Sequence, residues 1–179
     1  MTTLTVWCID KSNVVTKYAD TCNEIRDLLT ECLKYQKHFD DVEVYFPQYK
    51  CSPENSDLVV YYLASSDSVA FVLDEHADSV VGEDQGQTIW SAPPGKVAVF
   101  CSEVHVGGGA KASARALAKL TVHEFMHNKL KIGDSLHSHG GLARASVDEN
   151  TPLTKQNAKE LGQALVKQRI QWMDGYDSL

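Results

Sequence analysis

The most informative part of this sequence runs from Lys111 to Ile132 and reads KASARALAKLTVHEFMHNKLKI. It is rich in Ala and Leu and contains neither Pro nor Gly, so it predicts one long helix that stops at Gly133. Within it, His123 and His127 enclose Glu124 in the pattern H-E-x-x-H. Residues i and i+4 lie one above the other on a helix face, so both imidazoles can point at a single metal ion. The competing interpretation is a pair of histidines on an exposed helix face or in the core.

The glutamate of this pattern has a different geometric position from the histidines. Glu124 projects about 100° around the helix from His123, which puts it beside the ion rather than onto it. A carboxylate at that place can take a proton from a water molecule next to the metal.

The identity of a third ligand follows from how far the chain must turn back. A catalytic zinc site needs three protein ligands and leaves the fourth position for water. If the helix runs to Gly133, Asp134 is about 10 Å along the axis from His127, too far for a short carboxylate. His137 has three more residues in which the chain can turn, and a longer side chain, so we expect it to be the third ligand. Asp134 is the alternative, if the helix ends near Leu130.

If a metal-activated water at this site attacked a carbonyl carbon, a further side chain would stabilise the negative charge on the carbonyl oxygen. Three side chains are candidates for that group, and the sequence does not choose among them. His139 is expected near the site without being a ligand. The candidates are Asn128, His139 and Tyr176.

The rest of the chain contains short apolar runs and two further helices. A helix is predicted from Asp20-Thr21, with Thr21 and Glu24 at the spacing of a capping box, and a last helix from Thr151-Pro152 towards Trp172. Residues 74–95 are acidic and Gly-containing, and predict a long loop with one short strand. The predicted strands are Leu4–Ile9, Val42–Phe46, Leu58–Leu63, Val69–Leu73, Thr88–Trp90 and Lys96–Val106.

Length and charge limit the class of protein. A chain of 179 residues predicts one domain, residues 1–179. With 17 Lys+Arg against 24 Asp+Glu, the net charge is −7, and no basic cluster of the kind that binds nucleic acid is present. No apolar run approaches the roughly 18 residues of a membrane-spanning helix. We therefore expect no nucleic-acid partner and no membrane span.

The five cysteines and the first residues bear on the compartment. No C-x-x-C pair occurs, and the chain begins without a positively charged segment, with its first apolar run broken at Asp10. We expect reduced, buried thiols in a cytoplasmic protein, or one exported without a standard signal peptide.

The order of predicted elements resembles that of the zincin metallopeptidases, and within them the metzincins, whose motif is H-E-x-x-H-x-x-G-x-x-H. The resemblance implies an α+β fold, with a mixed twisted sheet of about four to five strands packed on an N-terminal helix, the H-E-x-x-H helix and a C-terminal helix. The sequence departs from the metzincin motif at two places. Leu130 occupies the position of the family's glycine, and His137 follows Gly133 by four residues instead of three. A Met-turn is not identified, because the only methionine after the motif is Met173.

The resemblance also implies an activity. His123, His127 and His137 would bind Zn²⁺ (with Asp134 as the alternative third ligand), Glu124 would be the general base, and the substrate would be a peptide or protein. In metzincins an extended substrate pairs with an edge strand just before the active-site helix, a part that Lys96–Val106 or the strand beside it would play here.

Two other functions are compatible with the same residues. One is a non-catalytic domain with a closed zinc site, in which Asp134 or His139 joins the three histidines as a fourth ligand. The other is a zinc hydrolase of a non-peptide amide.

Overall fold

The structure is a computed structural model. It describes residues 2–11, 15, 18–46, 56–63, 80–83, 86–89, 95–100 and 110–176, and these contain eleven secondary-structure elements. In chain order they are β1 (Thr3–Asp10), α1 (Tyr18–Leu33), β2 (Asp41–Tyr45), β3 (Leu58–Leu63), β4 (Val80–Glu83), β5 (Gly86–Ile89), β6 (Gly95–Phe100), α2 (Ala110–Leu130), a 3₁₀ helix (Asp134–His139), a 3₁₀ turn (Gly141–Ala143) and α3 (Lys155–Tyr176).

The strands form one mixed sheet in the order β2-β1-β3-β6-β5-β4. The first four strands of that order are parallel, while β5 runs antiparallel to both β6 and β4. Parallel neighbours need a crossover connection, and α1 lies in the connection from β1 to β2. The expected combination of helices with a mixed sheet is confirmed, and the described residues form six strands, where four to five are expected.

Burial along the strands shows which face of the sheet carries the core. β2 alternates throughout and β1 as far as Cys8, with every second residue buried and the others half-buried or exposed. β3 is buried along its whole length, as expected for a parallel strand covered on both faces. The residues of these three strands in the main core are Leu4, Val6, Cys8, Val42, Val44, Leu58, Val60 and Tyr62.

The three α-helices pack together, and α2 also lies against the sheet. α1 contacts α2, and α3 contacts both of them, while α2 contacts β5 and β6. The hydroxyl of Thr121 on α2 donates to the carbonyl of Leu117 (2.8 Å) and accepts from the Tyr62 hydroxyl of β3 (2.8 Å). The helix that carries the H-E-x-x-H motif is therefore attached to the centre of the sheet by a buried hydrogen bond.

Two local predictions are wrong. Residues 86–89 include Thr88 and Ile89 of the predicted short strand, but they pair with a second, antiparallel strand, residues 80–83, inside the stretch otherwise expected to be loop. Its Val80-Val81 and Thr88-Ile89 pairs are β-branched, and cross-strand pairing outweighs the acidic and glycine residues around them. Thr21 does not cap α1, because the helix already begins at Tyr18, and Thr21 lies inside it, fully buried.

The sheet order also corrects the expected substrate edge. β6, which contains the start of the predicted strand Lys96–Val106, pairs with β3 on one side and β5 on the other. β5 is itself covered by β4, so β4 is the outer strand on that side among the described residues. The prediction Val69–Leu73 and the residues after Phe100 in Lys96–Val106 lie outside the described residues.

Among the helices that the structure describes, none combines the length and the apolarity that crossing a membrane requires. The described cysteines, Cys8, Cys22 and Cys32, are all free thiols; Cys8 and Cys32 are buried and Cys22 is half-buried.

The crossing of α3 over α1 is tight enough to yield a prediction. A Cβ added to Gly162 of α3 would lie 2.2 Å from the carbonyl oxygen of Cys32 in α1. Backbone cannot move aside cheaply, so Gly162→Ala should lower the free energy of unfolding by about 1–3 kcal/mol, measured by urea denaturation followed by circular dichroism. The matched control is Gln163→Ala at the next, exposed position, which should leave stability nearly unchanged. Equal stability of the two variants would contradict this packing.

Candidate metal centre

Three imidazoles meet at the carboxyl-terminal half of α2. His123 and His127 come from α2 and His137 from the 3₁₀ helix that follows it. The Nε2 atom of His127 is 3.2 Å from Nε2 of His123 and 3.2 Å from Nε2 of His137. One nitrogen from each of these three histidines lies within 4.8 Å of the other two, which is close enough to share a metal ion.

Backbone carbonyls determine which nitrogen of each α2 histidine faces the centre. The Nδ1–H of His123 donates to the carbonyl of Leu142 (2.6 Å), and the Nδ1–H of His127 donates to the carbonyl of Ile132 (2.8 Å). A neutral imidazole carries one proton, so each Nε2 is left with a lone pair directed into the cluster. The Nε2 atoms of His123 and His127, 3.2 Å apart, then have no proton to share, and a cation between them removes the repulsion of their lone pairs.

The spacing of the nitrogens fits a tetrahedral ion. Zinc–nitrogen bonds of about 2.0–2.1 Å at the tetrahedral angle place two ligand nitrogens about 3.3–3.4 Å apart. The two 3.2 Å separations lie close to that value. The rings of His123 and His127 are nearly perpendicular, at 84°, so the two imidazoles do not stack on each other. The residues present therefore fit a metal ion.

Burial keeps the two α2 histidines in the form that a metal requires. His123 is 3% exposed and His127 is 6% exposed. Desolvation of the charged form, helped by the neighbouring His127, lowers the pKa of His123 to about 3. Desolvation also lowers the pKa of His127, and the carbonyl of Ile132 opposes that shift only in part. Both imidazoles are neutral at neutral pH, as ligation demands.

The turn after α2 brings His137 to the centre. α2 ends at Leu130, and Lys131 then adopts a left-handed backbone conformation, with φ of 57°. The 3₁₀ helix starts after Gly133, whose carbonyl accepts from the amide of Leu136 (2.9 Å). Leu136 is fully buried in the core. Because its side chain anchors the turn, the adjacent His137 is held against the two α2 histidines.

The turn begins earlier than the sequence predicts, and it places His137, but not Asp134, in the cluster. The helix ends at Leu130 and does not run to Ile132, and a helix of that length is the condition for the alternative ligand, Asp134. Asp134 nevertheless starts the 3₁₀ helix and is exposed, and it is not part of the cluster. The turn at Lys131 sends the chain back early enough for the longer side chain of His137 to reach the centre.

The other predicted site residues have separate environments. Glu124 is buried, with 4% exposure, on the helix turn of His123. His139 forms a hydrogen bond from Nδ1 to a carboxylate oxygen of Glu160 on α3 (3.0 Å), which ties the 3₁₀ helix to α3. Asn128 is fully buried. The side chain of Tyr176 lies outside the described residues.

A buried lysine holds the end of α2 on the sheet. Lys129 is 7% exposed, and its ammonium donates to the carbonyl of Asp57, directly before β3 (3.1 Å). Desolvation lowers the pKa of Lys129 to about 8. This contact, close to His127 in the chain, limits the movement of the helix end that carries the cluster.

Sequence reasoning does not identify the groups that orient the two α2 histidines. Both are backbone carbonyls, Ile132 and Leu142, which no side-chain pattern marks. The Leu142 segment is in turn held by Asn157 of α3, whose Oδ1 accepts from the Leu142 amide (2.9 Å). The signal available for Asn157 is its position three residues after Thr154, the spacing of a capping box.

Comparison with known proteins leaves the family open: no protein-family model, curated protein or solved structure matches this chain significantly.

The left-handed residue at the end of α2 yields a stability prediction. A side chain makes this conformation unfavourable by about 1–2 kcal/mol, and glycine removes that cost. Lys131→Gly should therefore be more stable than Lys131→Ala by about 1 kcal/mol in urea unfolding. Both variants lose the lysine side chain, so their difference isolates the backbone. An alanine variant as stable as the glycine variant would show that the residue is not left-handed.

The two histidines of the 3₁₀ helix provide a matched test of the third ligand. With Zn²⁺ as the probe ion, His137→Ala should weaken metal binding by more than about 100-fold, since even the partners that hold a ligand in place contribute 10- to 100-fold. His139→Ala should have a much smaller effect, because its imidazole is engaged with Glu160. Competition with a chromogenic chelator measures both affinities. Equal losses in the two variants would contradict the assignment of His137.

Proposed function

We propose that this protein is a zinc-dependent metallopeptidase of the zincin type, in which His123, His127 and His137 bind the metal and Glu124 is the general base. The observation that carries the proposal is the convergence of three imidazole Nε2 atoms, two of them with lone pairs oriented by backbone carbonyls. A buried glutamate on the same helix turn completes the set.

The donor set favours zinc. Imidazole nitrogen suits Zn²⁺ as well as copper, iron and nickel ions, and three histidines that leave a tetrahedral position for water are a known ligand set of catalytic zinc. In the described part of the chain, no fourth histidine, cysteine or carboxylate joins the three. Three protein ligands leave one position open for water, as catalysis requires.

The surroundings of Asp134 and His139 bear on the alternative of a non-catalytic domain with a closed zinc site. That alternative needs Asp134 or His139 as a fourth ligand. Asp134 is exposed outside the cluster, and His139 is hydrogen-bonded to Glu160. Both observations favour the open site over the structural one.

The proposed reaction assigns one role to each side chain. Zinc, when bound, supplies a Lewis acid that polarises the scissile carbonyl and makes water more acidic. The three histidines hold it as neutral ligands. Glu124 accepts a proton from the attacking water and then gives it to the leaving amine nitrogen. The burial of Glu124 keeps this proton transfer away from bulk solvent.

The arrangement of elements supports the zincin type. A mixed sheet packed against the N-terminal helix and the H-E-x-x-H helix is what the resemblance implies, and the chain turns back after α2 to present a third histidine. In this proposal the substrate is an extended peptide. Since β6 and β5 both have neighbours, β4 is the strand with which such a peptide would pair on that side.

Glu124→Gln tests the mechanism, because it keeps the shape of the side chain and removes its ability to accept the proton. We expect a stoichiometric zinc content as in the wild type and a loss of peptide cleavage of about 10²- to 10⁴-fold. Zinc is measured by atomic spectroscopy, and cleavage by mass spectrometry of a peptide pool. The control is Glu31→Gln, the same change on α1, where the side chain is 45% exposed.

Two outcomes would refute parts of the proposal. Undiminished cleavage by the Glu124→Gln variant with zinc bound would remove Glu124 from the mechanism. A wild-type protein that binds zinc but cleaves no peptide would favour the non-catalytic domain or a hydrolase of another amide.

A further inference from the structure

The carbonyl that orients His123 belongs to a segment that is hydrogen-bonded to the last helix, α3. Leu142 lies in the 3₁₀ turn Gly141–Ala143, and its carbonyl accepts the Nδ1–H of His123 (2.6 Å). The amide of the same residue donates to Oδ1 of Asn157 on α3 (2.9 Å). A single peptide segment thus links a histidine of the cluster to a buried side chain of the last helix.

Asn157 is part of the cap of α3. Its amide nitrogen donates to the hydroxyl oxygen of Thr154 (3.1 Å), and its Oδ1 accepts from the amide of Thr154 (3.3 Å). This reciprocal pair is a capping box, with Asn in the place of the more common Glu or Gln. Oδ1 therefore accepts two backbone hydrogen bonds, one from its own helix cap and one from Leu142. The side chain is fully buried and held from both sides.

The turn approaches this cap so closely that only glycine fits beside it. Gly141 has φ of +60°, and a Cβ there would lie 2.3 Å from Oδ1 of Asn157 and 2.5 Å from Cγ2 of Thr154. The neighbouring Leu142 and Ala143 are fully buried. The position of the Leu142 carbonyl is therefore set by the start of α3 and not by the turn alone.

We infer that Asn157 is a positioning residue for the metal centre: by holding Leu142, it fixes the tautomer and orientation of His123. The inference rests on the proposed zinc site. If the Leu142 carbonyl moves away, His123 can carry its proton on Nε2, which blocks the lone pair that a metal needs. The N-terminus of α3 then contributes to metal affinity without touching the metal.

Three variants separate positioning from simple destabilisation. Asn157→Ala removes the acceptor of the Leu142 amide and should weaken Zn²⁺ binding by about 10-fold or more. Asn157→Asp retains an acceptor oxygen, at a place near a helix N-terminus that favours a negative charge, and should keep nearly wild-type affinity. Its second oxygen takes the place of Nδ2, which has no hydrogen-bond partner among the described residues, so the buried charge should lower stability while the contact with Leu142 is kept. Thr154→Ala weakens the helix cap but leaves the contact between Asn157 and Leu142 in place.

Zinc affinity and thermal unfolding in chelator are measured for each variant. We expect Thr154→Ala to lower the unfolding temperature with little change in zinc affinity, and Asn157→Ala to lower both. If Asn157→Ala does not fold, Gly141→Ala provides the second perturbation, because its methyl group displaces the turn from Asn157. For each variant, the loss of zinc affinity is divided by the drop in unfolding temperature. If this ratio is the same for Thr154→Ala and Asn157→Ala, the positioning role is overturned.

The tautomer of His123 gives a readout that needs no metal. In the metal-free wild type, ¹⁵N–¹H correlation spectra of the imidazole should show the Nδ1–H form, and Asn157→Ala should shift His123 towards a mixture with the Nε2–H form. An unchanged tautomer together with unchanged affinity would refute the inference. A wild type that binds no zinc, with the tautomer shift present, would refute both the proposed metallopeptidase and the role of Asn157 at a metal centre, and would leave only its effect on the His123 tautomer.

Discussion

The centre depends on one constraint: each α2 histidine donates its Nδ1 proton to a backbone carbonyl, so its Nε2 faces its neighbour as a bare lone pair. Two such nitrogens 3.2 Å apart in a buried site repel each other without a cation. Protonation offers no relief, because burial lowers the pKa of His123 to about 3. The arrangement is unfavourable as an apolar core and favourable as a ligand set, which is why it points to a metal.

The fold supplies those carbonyls from two directions. Ile132 belongs to the turn that ends α2, and Leu142 belongs to a segment pinned by the cap of α3. The helix itself is fixed to the sheet through Thr121 and Lys129, which contact β3 and the residue before it. Every element that orients the cluster is thus anchored in the core, and a preorganised site of this kind loses little entropy when it binds a metal.

Much of the fold follows from local patterns. The β-branched and aromatic run of β1, the alternation in β2, the apolar run of β3 and the Pro-free stretch of α2 all predict elements that form. The strands β4 and β5 are not predicted as a pair, since they are short and lie among acidic and glycine residues. Their stability comes from pairing with each other and with β6, and a local pattern does not contain that information.

For the site, the residue pattern alone established that His123 and His127 share a helix face beside Glu124, because helix geometry converts a spacing of four into proximity. It also ranked His137 above Asp134, although that ranking assumed a longer helix than the one that forms. The folded chain was needed to show where the backbone turns, at a left-handed Lys131, and which groups orient the imidazoles. Those groups are backbone carbonyls and the buried side chain of Asn157. Their positions depend on contacts between segments far apart in the chain, and residue spacing carries no information about such contacts.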